Sequence, residues 1–211
     1  ASFGSDDYDQ LSELGRRQSE RLGQYLAARG VRIDAAITGT LRRQQQTWDA
    51  ICSGAGIAVQ ARADAGLNEY DSAAVIESVH PHPIGKPDTP EKYRQHFRLL
   101  RDGLTQWMNG VVSPRGMPSY DDFCAGIRQV LDDVRRHHEG TVLLVSSGGP
   151  IATAVGMVLG CAPETTIELN LRIRNSAVTE FVFNPKRHML LSYNTLPHLD
   201  EAPYRDWVTY A

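Results

Sequence analysis

Cysteine is scarce and poorly placed for cross-linking: 211 residues hold three, Cys52, Cys124 and Cys161. An odd, scattered set in apolar surroundings excludes a disulfide frame or a thiolate zinc site, and points to reduced thiols in a cytoplasmic setting. An excess of positive charge is also missing. With 22 basic and 25 acidic residues the net charge is −3, so no basic stripe is present to hold a nucleic acid, and no such partner is expected. No internal repeat is visible, and no secretory or transit signal opens the chain.

The chain also lacks an uninterrupted apolar span. Thr141 to Pro163 carries no charged residue and is long enough to cross a bilayer. However, Ser146-Ser-Gly-Gly-Pro150 would break a spanning helix at its middle. A buried strand over Thr141–Val145, a tight turn and a buried helix over Pro150–Leu159 fit better, with Pro150 at the start of the helix, where its missing N–H costs nothing. No membrane partner is expected.

What is present is the composition of a soluble globular protein, 41% hydrophobic and 22% charged, of a length that one domain with one sizeable core accommodates. Leu11, Leu14, Leu22, Tyr25 and Leu26 fall on one helical arc, with Ser12 as a cap and Gly30 just past the end. Ala35–Thr38 reads as a short strand, Leu41–Ile51 as a helix, and Ile57–Arg62 as another strand. Ser78–Pro90, rich in Pro and His, reads as a loop. Glu91–Met108 is helical, and Tyr120, Phe123, Cys124, Ile127, Val130, Leu131 and Val134 form the cleanest amphipathic stripe. Two last strands, Ala177–Phe183 and His188–Tyr193, turn at Asn184-Pro185. Alternating strands and helices predict an α/β three-layer sandwich, its central sheet mostly parallel and covered by helices on both faces.

Ligands in such folds collect at the carboxyl ends of strands, and three segments should meet there. Thr38-Gly-Thr-Leu-Arg-Arg places Arg42 and Arg43 in the first turn after a strand. Unpaired N–H groups and the positive helix end favour an anion there, and guanidinium matches phosphate oxygens. A solvated helix face would use the same two residues. Ser146-Ser-Gly-Gly-Pro150 can bring backbone N–H groups close to an oxyanion. Leu67-Asn-Glu69 supplies a carboxyl group. Together these suit phosphoryl transfer, which depends on positioning and charge stabilisation. His80-Pro-His82 has no nearby carboxylate or cysteine partner and reads as loop rather than metal site, and His137-His138 suits a helix C-terminus.

These residues resemble the histidine phosphatase superfamily, also called phosphoglycerate mutase-like. Leu11-Ser-Glu-Leu-Gly15 with Gln18 is similar to its first-helix signature, Leu-Thr-x-x-Gly-x-x-Gln. Thr40-Leu-Arg-Arg-Gln-Gln-Gln-Thr47 is similar to Ser-x-Leu-x-Arg-Ala-x-Gln-Thr, Leu67-Asn-Glu69 to the segment of the acidic proton donor, Val145-Ser-Ser-Gly-Gly149 to the second-histidine motif ending His-Gly-Gly, and Asn175-Ser-Ala-Val-Thr-Glu180 to a structural strand. The resemblance implies Arg43, Glu69 and Ser147 as catalytic positions, and Ser2, Phe3, Gly4, Thr40, Gly148 and His198 as phosphate- or substrate-binding ones. It implies no cofactor, no metal, and a small phosphorylated substrate or phosphate as partner. The oligomeric state stays open.

Two departures stand out. The family's Arg-His-Gly, whose histidine accepts the phosphoryl group, is nowhere in this chain. Ala1-Ser-Phe-Gly4 resembles the loop that follows that motif, so an N-terminal strand of roughly ten residues with the nucleophile is expected just upstream. Ser147 replaces the usual second histidine, giving one neutral donor instead of a charged one; by its position after the last strand His198 is the candidate substitute, a partly exposed or structural histidine being the other reading. The implied fold is a single domain over residues 1–211 with a helical lid insertion at about 70–119, where Tyr93, His96, Phe97, Trp107 and Met108 are more conspicuous than Lys92, Arg94, Arg98 and Arg101. An aromatic lid favours a phosphomonoester hydrolase acting through phosphohistidine. Mutase-type transfer and a degenerate phospho-ligand-binding protein are the alternatives. A serine hydrolase using Ser147 is more distant, since the leading glycine of Gly-x-Ser-x-Gly is missing.

Overall fold

Ser12 starts the first helix by accepting the Gly15 N–H at 3.0 Å. Helix α1 (Glu13–Ala28) lays Leu22, Tyr25 and Leu26 against Trp48 and Ile51 of α2 (Arg42–Ala55). In this computed structural model, residues 9–82, 85 and 88–210 are described. Strands β1 (Ala35–Thr38), β2 (Arg62–Ala63) and β3 (Val142–Val145) form a parallel sheet in the order β2-β1-β3, with Ala35 opposite Val142 and Thr38 opposite Val145. Strand alternation sorts the side chains. Ala36, Leu143 and Val145 join the α1–α2 layer, whereas Ile37, Val142 and Leu144 pack on Val130 and Val134 of α5 (Tyr120–His137). Helices therefore cover both faces of the sheet, as the alternation of elements predicts.

An antiparallel hairpin of β4 (Val178–Asn184) and β5 (Arg187–Thr195) continues these layers. Phe181 and Phe183 extend the α5 side, and Val178 joins the α1–α2 side. The hairpin turns where Asn184 Oδ1 accepts the N–H groups of Lys186 and Arg187 at 2.9 and 3.1 Å, the expected use of an Asn side chain in a turn.

The second core is aromatic. Helices α3 (Ser72–Val79), α4 (Pro90–Met108) and α7 (Pro163–Asn170) meet α5 around Val75, Leu100, Leu104, Trp107 and Ile167, with Tyr70, Tyr120 and Phe123 packed on them. Side-chain caps begin three of these helices: Asp71 for α3, Thr89 for α4 and Ser119 for α5. Helix α6 (Gly148–Leu159) follows β3 and is buried along most of its length. Among the described residues no helix is long and apolar enough to cross a membrane.

The expected strand Ile57–Arg62 is corrected to a two-residue pairing at Arg62–Ala63. The Val59 carbonyl accepts from Trp48 Nε1 at 3.2 Å, and Ile57, Val59 and Ala61 pack on the α1–α2 cluster. Their alternation therefore records packing against a helix layer rather than a sheet ladder. Helices α3 and α7 are additions, each only eight residues long and too short to display a helical period clearly.

Candidate functional site

Strands β1 and β3 end side by side. The Gly39 N–H donates to the Val145 carbonyl at 3.0 Å, so the turn carrying Arg43 lies beside the turn carrying Ser146 and Ser147. The third segment joins them through Leu67: its carbonyl accepts from Gln44 Nε2 at 2.9 Å and from Ser146 Oγ at 2.8 Å. Two residues later, the Glu69 carboxyl reaches the start of α6. The Gly149 N–H donates to Glu69 Oε1 and Oε2 at 3.1 and 3.0 Å, and the Tyr70 N–H donates to Oε1 at 3.1 Å. All three turns converge on this strand-end edge.

Close backbone approach explains the glycine pair. A Cβ on Gly149 would lie 2.1 Å from Glu69 Oε1, and one on Gly148 would lie 2.8 Å from Ile173 Cγ2. Any side chain at position 149 would push the carboxyl off the helix end. The carboxyl itself is withdrawn from water. Burial pushes its pKa up to about 7, against the Gly149 and Tyr70 N–H groups, the Arg43 guanidinium and the Gly148 N–H, all of which favour the ionised form. A carboxyl group poised there can give or take a proton near neutral pH.

Arg43 is 14% exposed, and its Nη1 pairs with Asp9 Oδ1 at 3.0 Å. Asp9 also accepts the N–H groups of Arg42 and Arg43 at 3.1 and 3.5 Å. Leu41, at the N-cap of α2, offers no side-chain acceptor, so a distant carboxylate occupies the anion-favouring end of this helix. Thr40 is held by Asn68: its N–H donates to Oδ1 and its Oγ1 accepts from Nδ2, both at 2.7 Å. Ser147 Oγ accepts from Gln44 Nε2 at 2.9 Å.

Arg43, Glu69, Ser147, Thr40 and Gly148 are thus gathered at one edge, joined through Gln44, Asn68 and Gly149. His198 is not part of that hydrogen-bonded group. It is 1% exposed in a short 3-10 turn, Pro197–Leu199, its Nε2 lies 2.9 Å from Ser176 Oγ, and its Nδ1 meets no hydrogen-bond partner among the described residues. Burial, with the Arg21 charge, pushes its pKa down to about 4. Of its two readings, substitute donor or structural histidine, this enclosure and the Ser176 contact fit the second. Ser2, Phe3 and Gly4 lie outside the described residues. Among the described residues, no group of three or more His, Cys, Asp or Glu side chains is placed to hold a metal ion.

Sequence reasoning missed Gln44, Asn68 and Asp9. Gln44 carried a usable signal, because it precedes Trp48 and Ile51 by four and seven positions and so shares their buried helix face. Asn68 sits inside the recognised Leu67-Asn-Glu69 segment. Nothing local marks Asp9.

Beside Glu69, the aromatic cluster encloses a cavity of about 10 Å³ bordered by Tyr70, Trp107, Tyr120, Phe123 and Gly149. That is room for one water, so this wall is packed rather than hollow. Tyr70 Oη accepts from Asn170 Nδ2 at 2.8 Å, which fixes the ring behind the carboxyl.

The chain matches the family model described as "Histidine phosphatase superfamily (branch 1)" over residues 3–196. A 2,3-bisphosphoglycerate-dependent phosphoglycerate mutase from Mesorhizobium japonicum is 28% identical over 166 residues, 76% of this chain and 75% of that protein. A bifunctional protein of Mycobacterium tuberculosis is 30% identical over 172 residues, 81% of this chain but 43% of that longer protein. Among solved structures, a phosphoserine phosphatase from Entamoeba histolytica in complex with 3-phosphoglyceric acid superposes with a TM-score of 0.62 at 20% identity, covering 90% of this chain and 86% of the other.

Proposed function

Because the chain belongs to the histidine phosphatase superfamily, we propose that it serves a phosphomonoester hydrolase working through a phosphohistidine. The observation that carries this reading is Glu69: a carboxyl with a pKa of about 7, bonded to the start of α6 and within the field of Arg43. A module that only bound phosphate would gain nothing from a proton donor tuned to neutrality.

In this reading the histidine of the family's Arg-His-Gly motif, which is not among these 211 residues, attacks phosphorus in line. The P–N bond forms as the bond to the leaving alkoxide breaks, and protonated Glu69 gives that oxygen its proton. Water then attacks phosphorus, Glu69 takes its proton, the P–N bond breaks, and phosphate and free imidazole result. Arg43 stabilises the charge on the equatorial oxygens, while the N–H groups that open α6 are engaged by Glu69. Ser147 adds one neutral donor. Residues 70–119 form the lid, a small phosphorylated compound is the substrate, and the cytoplasm is the working compartment.

Mutase-type transfer has one observation in its favour, the mutase relative. It needs cations near the site to hold a highly anionic phospho-acid. On α4, Lys92 pairs with Asp88 at 2.7 Å, Arg94 with Glu91 at 2.7 Å, and Arg101 with Glu168. These pairings support a solvated helix face and thus hydrolysis. The test is turnover of a chromogenic phosphomonoester by the complete protein from acidic to neutral pH. Turnover strongly reduced by Arg43→Ala, and slowed by Glu69→Gln more for an alkyl phosphate than for the chromogenic ester, is expected. Phosphate-ester binding without turnover would leave the degenerate binding protein as the correct reading.

A further inference from the structure

Two adjacent serines open α6, and the structure treats them differently. Ser146 Oγ donates its proton to the Leu67 carbonyl at 2.8 Å. Ser147 occupies the N-cap position with extended backbone, φ −121° and ψ 176°, yet its side chain makes no cap hydrogen bond. A serine in that position ordinarily accepts from the second or third N–H of the helix. Here the second, that of Gly149, is taken by Glu69, and the Ser147 oxygen accepts from Gln44 instead. A hydroxyl that accepts through its oxygen still has one proton to give.

The orientation of the Gln44 amide is dictated by its neighbours. The residue is 2% exposed. Nε2 faces two acceptors, the Leu67 carbonyl and Ser147 Oγ, both at 2.9 Å, while Oε1 faces the Leu41 N–H at 3.4 Å. Reversing the amide would set oxygen against a carbonyl and NH₂ against an N–H, so the network itself assigns the donor end. The backbone is closed over the other end: a Cβ on Gly39 would lie 1.8 Å from Gln44 Oε1. The amide has no room to swing away.

We propose that Gln44 is the positioning residue for Ser147, engaging the hydroxyl oxygen from the protein side so that its proton is presented to a phosphoryl oxygen at the start of α6. This rests on the phosphate-ester reading above and deepens it, by assigning the orientation of a donor on which neutral Ser147 depends. Gln44 does not touch the ligand, so its whole effect on phosphate passes through the serine hydroxyl.

The test is calorimetric titration of inorganic phosphate into the complete protein and its variants Ser147→Ala, Gln44→Met, the double variant and Arg43→Ala. Ser147→Ala is expected to weaken binding roughly tenfold, as loss of one hydrogen bond to a charged group should, and Gln44→Met to weaken it by no more than that. The double variant should bind no more weakly than Ser147→Ala alone. Unchanged binding in Ser147→Ala or Gln44→Met, or multiplying losses in the double variant, would overturn the proposal. Unchanged binding in Arg43→Ala would instead overturn the phosphate-site reading beneath it. A second measurement needs no change at position 44: the Gln44 side-chain amide resonances should shift on adding phosphate, and Ser147→Ala should remove the shift. A shift that persists in Ser147→Ala counts against the relay.

Discussion

Glu69 and His198 are both drawn out of water, and desolvation favours the neutral form of each, the carboxyl pushed up to about 7 and the imidazole down to about 4. Their surroundings part them. Glu69 receives backbone N–H groups from Gly149 and Tyr70 and feels the charge of Arg43, so its anion is supported and both protonation states are within reach near neutrality. His198 has Ser176 at one ring nitrogen, no partner at the other among the described residues, and a further downward push from Arg21. Its cation has no support, and it acts as a neutral packing group between α1 and the C-terminal segment. Burial alone does not make a reactive group; the donors and charges gathered around it decide.

The comparison is most severely tested by removing the charge beside Glu69. Arg43→Ala should lower kcat/KM for a phosphomonoester about 10²- to 10³-fold, while His198→Gln should stay within about threefold of wild type by steady-state kinetics. A comparable loss in both variants would erase the distinction between site and packing group. Next in size, Glu69→Gln should slow hydrolysis of an alkyl phosphate about 10²-fold. It should slow a nitrophenyl ester far less, because that leaving group departs without a proton. In wild type the alkyl phosphate rate should decline as pH rises through about 7, where Glu69 loses its proton, and Glu69→Gln should flatten that decline.

The two groups should also pull stability in opposite directions with pH. For Glu69 the folded value of about 7 lies above the ordinary 4.5. Its contribution is full below 4.5 and is lost as pH rises to about 7, because the unfolded chain ionises first. The full linkage is up to about 3 kcal/mol, reduced by the solvent contact the residue keeps. For His198 the folded value of about 4 lies below 6.5, so its contribution is full above 6.5 and is lost as pH falls toward 4. Denaturant midpoints across pH 4.5 to 6.5 should therefore climb more steeply with pH in Glu69→Gln than in wild type, and less steeply in His198→Gln. Parallel slopes in all three proteins would show that neither group is shifted. The smallest effect belongs to Ser176→Ala, which leaves His198 Nε2 without its partner. About 1 kcal/mol of stability should be lost, read from the unfolding midpoint, with phosphate affinity unchanged.

Local chemistry made much of this fold legible. Ser12 caps α1 through its own side chain, and the stripe from Tyr120 to Val134 is the buried face of α5. The Ser-Gly-Gly-Pro turn was readable because glycines and a proline after an apolar run break a strand in a recognisable way, although α6 begins at Gly148, two residues before the expected Pro150. Ile57–Arg62 misled because packing along a helix layer produces the same alternation as a strand. In the site, Arg43, Glu69 and the glycine pair were visible as types suited to an anion. The burial of Gln44 was readable from its spacing to Trp48 and Ile51, but its role was not, since a buried amide is distinguished only by its partners. His198 suggested a site by its place in the chain, and the Ser176 contact that defines it comes from 22 positions away.

The longer helices, strands β1 and β3 with the turns after them, and membership of the family were legible in the sequence, because capping, periodicity and turn chemistry act over a few neighbouring residues. Only the tertiary structure decided that Asp9 sits on Arg43, that Glu69 meets Gly149 across 80 positions, and that Gln44 reaches Ser147 across 103. The physical reason is that a proton affinity or a hydroxyl's orientation is set by how much water is removed and which N–H groups arrive in its place. Those groups come from segments that meet only when the chain is folded.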